Sequence, residues 1–209
     1  MAAERGAACL GLVSRMPSGP GVIGDETIAE SVAVAPRGVR TFLLTCSTAA
    51  QEIAEQAGRL GVTTVQLVDH VAVEERRALR ALMPALEIVQ VIHVTDPTAV
   101  DQALAARDAD ALLLDSGNPS LAVKELGGTG RVHDWRVSRA IRDASPVPVW
   151  LAGGLNADNA AAAIAAVEPF GLDVCSGVRT NGQLDPAKLA AYVDAIASVT
   201  DRRPPLLDA

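Results

Sequence analysis

Aromatic side chains are scarce in this 209-residue chain: they make up 2% of it, namely Phe42, Trp135, Trp150, Phe170 and Tyr192. The core is therefore expected to be aliphatic, and recognition of nucleic acid by base stacking has almost no material. Excess positive charge is absent as well. The 18 Lys and Arg face 25 Asp and Glu, a formal net charge of −7. That balance argues against a polyanion partner and leaves room for a local site holding one phosphate. Cysteine is limited to Cys9, Cys46 and Cys175, without CxxC spacing and in an odd number. This is a poor disulfide framework and points to a reducing, cytoplasmic setting. No His, Cys or carboxylate group has metal-ligand spacing, so no metal is expected. No apolar run reaches the ~18 residues of a membrane span, and the first residues carry neither a signal-peptide core nor a transit pattern.

What is present is a globular balance, 49% hydrophobic and 21% charged, in a length that fits one domain. Short apolar runs rich in β-branched residues alternate with Ala-rich amphipathic stretches. Strands are expected at Cys9–Val13, Arg40–Thr45, Thr64–Val68, Ile88–Val94, Ala111–Asp115, Val147–Ala152 and Leu172–Ser176. Helices are expected near 25–35, 48–60, 73–83, 97–107, 135–143, 156–167 and 185–199. Most of the strand runs are continuously apolar, as for parallel strands buried on both faces. Several strand starts recur every ~23–25 residues, which fits repeated βα units. Seven such units are visible, one short of a closed (β/α)8 barrel. Residues 1–200 read as a single barrel domain, with 201–209, which contain Pro204-Pro205, as a flexible tail. The Arg76-Arg77-Ala-Leu-Arg80 run reads as a solvated helix face.

Four features could carry chemistry. Asp115 closes a buried strand, where a carboxylate is costly to bury and open to tuning; it reads as a general acid or as a structural cap on loop amides. Gly127-Gly128-Thr129-Gly130 is a loop whose amides could form an anion nest. Leu151-Ala-Gly153-Gly154-Leu-Asn156 ends a strand and opens a helix, presenting free N–H groups and the positive end of a helix dipole. Asp173-Val-Cys-Ser176-Gly177 ends the following strand in a second small turn. The last two strands therefore both finish in turns suited to phosphate, as in many βα barrels. Two long intervals, Ser14–Gly24 and Ser116–Asp134, follow strand C-termini and are expected to wall or cover a site.

Taken together, these residues resemble the phosphoribosylanthranilate isomerase family. The likeness is carried by Leu113-Leu-Asp115, Gly127–Gly130 followed by Asp134-Trp135, Leu151–Asn156 and Asp173–Val178. More loosely, Gly6–Val13 looks like the family's second strand and Val65-Gln-Leu67 like its fourth. The resemblance implies a (β/α)8 barrel lacking its first strand. It also implies an Amadori-type isomerisation of a phosphoribosyl anthranilate without a cofactor, in tryptophan biosynthesis, on a small phosphosugar substrate, by a monomer or homodimer. It makes Asp115 the acid and gives the phosphate to Gly153, Gly154, Asn156, Ser176 and Gly177. It places Gly128, Thr129, Asp173 and Arg179 against the substrate or in its lid. The chain departs from the family pattern in three places. The family's Cys base lies on a strand before this chain's first one; Gly21 stands where the family usually has an Arg for the substrate carboxylate; and Arg179 replaces a Glu beside the phosphate turn. Two alternatives stay open on those grounds: an isomerase for another phosphosugar, and a non-catalytic binder of phosphate ligands.

Overall fold

The structure, a computed structural model, describes residues 1–200; the expected tail at 201–209 lies outside the described residues. A 3-10 turn, Ala3–Arg5, stops on Gly6 in the left-handed conformation (φ 92°) and feeds the first strand. Seven parallel strands follow: β1 (Cys9–Val13), β2 (Arg40–Thr45), β3 (Thr64–Leu67), β4 (Glu87–His93), β5 (Ala111–Asp115), β6 (Val149–Leu151) and β7 (Gly171–Leu172). They form one sheet in sequence order. The helices are α1 (Asp25–Ala33), α2 (Ala50–Leu60), α3 (Val73–Leu82), α4 (Ala99–Ala105), α5 (Trp135–Ala144), α6 (Ala160–Val167) and α7 (Pro186–Thr200). A two-residue hairpin, β8 (Arg179–Thr180) with β9 (Gln183–Leu184), precedes α7.

Local sequence explains the elements. In α2, Ile53, Ala57 and Leu60 recur at helical spacing and are buried, and Gly61 (φ 70°) ends the helix. Asp134 caps α5 by accepting from the Arg136 N–H at 2.9 Å. Asp185 does the same before α7, accepting from the Ala187 and Lys188 amides at 2.9 and 3.2 Å, with Pro186 at the first helical position.

The sheet is strongly curled. Phe42 on β2 and Trp150 on β6 are four strands apart, ~19 Å in a flat sheet, yet their ring centroids are 6.2 Å apart, edge to face. Phe42, Val89, Val91, Leu113 and Ala152 fill the concave side with Trp150 packed against them. Leu43, Val65, Ile88 and Leu114 fill the convex side under the helices. Among the described residues the sheet has seven strands, the seven βα units that the sequence predicts, and there β1 pairs with β2 alone and β7 with β6 alone.

Three expectations need correction. β7 is paired only over Gly171–Leu172; by Ser176 the chain has entered a 3-10 turn, Ser176–Val178. α6 begins at Ala160, because the Asn156 Oδ1 accepts from the Asp158 and Asn159 amides at 2.8 and 3.2 Å and holds residues 156–159 as a separate turn. Arg76 is not solvated: it is 3% exposed, paired to Asp108, and donates to the carbonyls of Val71 and Ala105. Its guanidinium ties the first turn of α3 to the end of α4, which a linear charge run cannot reveal.

Candidate active site at the strand C-termini

The strand register brings the acidic residues together. Leu114 pairs with Leu151 and Leu151 with Leu172. One residue on, the Ala152 N–H donates to Leu114 O at 2.7 Å and the Asp173 N–H to Leu151 O at 2.9 Å. Asp115, Ala152 and Asp173 therefore stand level on three neighbouring strands, at the mouth of the concave face. Asp115 is 8% exposed, and its carboxylate accepts from the Ser116 N–H at 2.8 Å. Burial pushes the Asp115 carboxyl up, against the opposing effects of that amide and of the neighbouring His93. Asp173 is pushed up to about 6, first by burial and then by the charge of Asp115.

Beyond Ala152 lies a small cavity of about 40 Å³. Its walls come from the 128–130 loop, Ala152–Leu155 and Asp173–Ser176, with Asp115 at its base. The room equals about three waters at ~10–15 Å³ each, the scale of a phosphate group. Gly153 (φ 83°) and Gly154 (φ 63°) make the turn in a conformation that side chains disfavour, and a Cβ on Gly154 would meet the Arg131 carbonyl at 2.6 Å. Among the described residues, the N–H groups of Gly153, Gly154 and Leu155 donate to no other group, which leaves an anion nest. Gly177 packs against the Leu155 carbonyl, so the two turns interlock.

Of the residues singled out from sequence, Asp115, Gly128, Thr129, Gly153, Gly154, Asp173 and Ser176 line this cavity. Asn156, Gly177 and Arg179 border it. The Asn156 side chain is spent on its own turn, and Gly177 is the contact between turns. The Arg179 Nη1 donates to Gly182 O at 2.7 Å, while a Cβ on Gly21 would lie 3.8 Å from its Nη2. The Arg179 guanidinium thus reaches the β1–α1 loop beside Gly21.

The two long loops meet over the mouth. The Ser18 hydroxyl donates to Lys124 O at 2.6 Å, a Cβ on Gly128 would clash with Pro20 Cδ at 2.6 Å, and one on Gly19 would touch Gly127 O at 3.4 Å. Sequence reasoning missed what anchors the second loop. His133 bridges the Ser116 and Ser138 hydroxyls at 3.2 and 2.7 Å, and burial lowers its pKa to about 4. Cys175 was also missed as a wall; lying two residues past Asp173, it shares that residue's side of the chain. Gly19-Pro-Gly21-Val-Ile-Gly24 has the spacing of a dinucleotide fingerprint. Here it forms rim turns, and α1 opens with Asp25 and Glu26, which repel an anion. His93 is buried beside Asp115, its register partner on β4, with its Nε2 donating to Val68 O at 2.9 Å.

A curled parallel βα sheet with paired glycine turns after its last two strands, and a buried acid beside them, defines the class of barrel proteins that hold phosphorylated small molecules. Comparison with known proteins narrows this. The model of the N-(5'-phosphoribosyl)anthranilate isomerase family matches residues 41–195, and the chain belongs to that family. It is 34% identical to an N-(5'-phosphoribosyl)anthranilate isomerase of Halorubrum lacusprofundi over 92% of this chain and 87% of that one. The corresponding enzyme of Microcystis aeruginosa is 33% identical, over 94% and 91%. Among solved structures, N-(5'-phosphoribosyl)anthranilate isomerase from Pyrococcus furiosus superposes with a TM-score of 0.77 at 25% identity, over 95% of this chain and 92% of that one. A phosphoribosyl anthranilate isomerase in complex with reduced 1-(o-carboxyphenylamino)-1-deoxyribulose 5-phosphate gives 0.75 at 24% identity, over 94% and 91%.

Proposed function

We propose that this chain isomerises N-(5'-phosphoribosyl)anthranilate to the corresponding 1-amino-1-deoxyribulose phosphate, an aldose-to-ketose rearrangement of the Amadori type in tryptophan biosynthesis. The observation that carries this reading is the buried acid Asp115 level with the glycine turns that form the anion cradle. The phosphate sits on the free N–H groups of Gly153 and Gly154 and on the Ser176-Gly177 turn, with Asn156 holding the first turn rigid. That anchor positions the sugar over Ala152, with C1 and C2 between Asp115 and Asp173.

Asp115, whose carboxyl burial pushes up, gives its proton to the ring oxygen. The C1–O bond breaks and the nitrogen lone pair forms the C1=N bond. Loss of the C2 proton then sends the C–H electron pair into C1=C2 and returns the π pair to nitrogen, giving an enol-amine that tautomerises to the ketone. C2 is oxidised and C1 reduced within the one molecule, so no external oxidant, reductant or cofactor is required. Gly128 and Thr129 close over the phosphate, and Arg179 meets the aromatic carboxylate beside Gly21. In the same reading residues 1–200 act as one barrel domain, in the cytoplasm, as a monomer or a homodimer. The dimer finds support in the dimeric phosphoribosylanthranilate isomerase of Thermotoga maritima, which has a similar fold. Among the described residues no helix is long and apolar enough to cross a membrane.

The test is conversion of N-(5'-phosphoribosyl)anthranilate by the purified chain. Turnover that falls 10²–10⁴-fold in Asp115→Asn with phosphate binding retained supports the reading. No conversion by the unaltered chain, with phosphate still bound, would favour a binder. The second reading, an isomerase for another phosphosugar, is favoured by the absence of a side chain at Gly21. Turnover of other aldose phosphates in preference to the anthranilate compound would establish it.

A further inference from the structure

We infer that His133 is a positioning residue for the acid Asp115, acting through Ser116. This rests on the isomerase reading above and names what holds that reading's proton donor in place. The connection from β5 to α5 runs from Ser116 to Asp134, and a segment of that length shifts freely unless its ends are tied. Here they are tied to each other. The His133 ring lies between the Ser116 hydroxyl, 3.2 Å from Nδ1, and the Ser138 hydroxyl, 2.7 Å from Nε2. Both serines are buried, so water cannot readily replace the ring. One further bond carries the tie to the acid: the Ser116 N–H donates to Asp115 Oδ1 at 2.8 Å. The other carboxyl oxygen, Oδ2, lies on the Gly127 side, where a Cβ would stand 2.8 Å from it. Oδ2 is thus the oxygen left to give a proton to substrate. The same tie backs the cradle, since a Cβ on Gly153 would fall on the Ser116 hydroxyl and lie 3.1 Å from the His133 Nδ1.

Counting protons fixes the state of the ring. The Ser116 hydroxyl has one hydrogen and donates it to Arg131 O. It can therefore only accept from His133, which makes Nδ1 the donor. Burial lowers the His133 pKa to about 4, against the charge of Asp134, so the ring is neutral at neutral pH. Nε2 then carries a lone pair and accepts from the Ser138 hydroxyl. Ser138 sits on the first turn of α5. The bonds thus run from a rigid helix through the ring to Ser116 and on to Asp115. Gly127–Gly130 can move as a lid while the base of the loop, and the carboxyl with it, stays still. A phenyl ring at position 133 would fill the same space and strip both hydroxyls of their partner. An Asn amide nitrogen takes the place of Nδ1 and a Gln amide nitrogen that of Nε2, so each preserves one half of the bridge.

The experiment is steady-state turnover of N-(5'-phosphoribosyl)anthranilate by the full chain and its His133→Phe, His133→Gln and His133→Asn variants. Inorganic phosphate binding is measured alongside, and the tautomer of His133 is read from the imidazole nitrogen chemical shifts of the unaltered chain. The expected result for His133→Phe and His133→Gln is kcat lowered about 10- to 100-fold at near-constant KM and phosphate affinity, the cost of a carboxyl displaced by up to ~1 Å. His133→Asn, which keeps the bond to Ser116, should recover most of that loss, and His133 should carry its proton on Nδ1 at neutral pH. A merely structural role would lower all three variants alike and raise KM with them. That result overturns the inference, as does unchanged kcat in His133→Phe or a proton on Nε2. If His133→Phe does not fold, the other two variants decide: a higher kcat in His133→Asn than in His133→Gln upholds the role, and equal values overturn it. Absence of turnover in the unaltered chain would defeat the isomerase reading and the role of His133 with it, whereas turnover indifferent to His133 would defeat the positioning role alone.

Discussion

Replacing Gly177 by alanine puts one methyl group where the two turns of the proposed phosphate cradle touch. An ideal Cβ there would lie 2.9 Å from the Leu155 carbonyl carbon and 3.0 Å from the Asn156 Cβ, and closer still to the Leu155 oxygen. Carbon atoms settle at ~3.5–4.0 Å, and with the oxygen contact tighter than either carbon one the turns must part by at least ~1 Å. A 1 Å displacement at a preorganised site is worth ~10²-fold. The expected loss of affinity for inorganic phosphate or ribose 5-phosphate is thus about 100-fold, ~2.7 kcal/mol. Overpacking should cost a further ~1–3 kcal/mol of folding stability. Titration calorimetry reads the first quantity and denaturant unfolding the second. Gly58→Ala is the control: that glycine lies inside α2 with nothing within 4 Å of a Cβ, and the change should stabilise by ~0.5–1 kcal/mol without touching phosphate affinity. Unchanged phosphate binding in Gly177→Ala would refute the interlocked cradle.

Other consequences follow from the same structure. His133 refuses a proton that the unfolded chain accepts below pH 6.5, so stability should fall as pH drops from about 6.5 to about 4, by at most ~3 kcal/mol; His133→Gln should flatten that slope in pH-resolved unfolding. Asp173 has the opposite sign. Its raised pKa means that the folded chain bears a penalty appearing as pH rises from about 4 to about 6 and complete above it. Asp173→Asn should therefore raise stability at pH 7.5 by up to ~3 kcal/mol and leave it unchanged at pH 4; equal stability at both pH values would refute this. Arg76→Ala strips Asp108 and two carbonyls of their donor and should destabilise by ~3 kcal/mol, read as a lower denaturant midpoint. A double-mutant cycle on Phe42 and Trp150 should give ~0.5–1.5 kcal/mol of coupling across the barrel interior; zero coupling would mean an open, uncurled sheet.

The linear chain by itself determined the repeating unit. Continuous apolar runs can be stable only as parallel strands covered on both faces, and Asp134, Asp185-Pro186 and Gly61 punctuate the helices through local hydrogen bonds and backbone preference. For the same reason Asp115 and the two glycine turns were legible as strand ends. What stayed hidden involves partners distant in sequence. The count of seven βα units was legible, but that β1 and β7 are the two strands with a single neighbour among the described residues is a fact of pairing. Arg76 looked solvated because its partners, Asp108 and the Ala105 carbonyl, come from the next βα unit. Only folding levelled Asp115 with Asp173 over Ala152, since register is set by hydrogen bonds between strands and 57 residues of chain intervene. Period and capping are written locally; proximity, and the electrostatic coupling that depends on it, exists only once the sheet has curled.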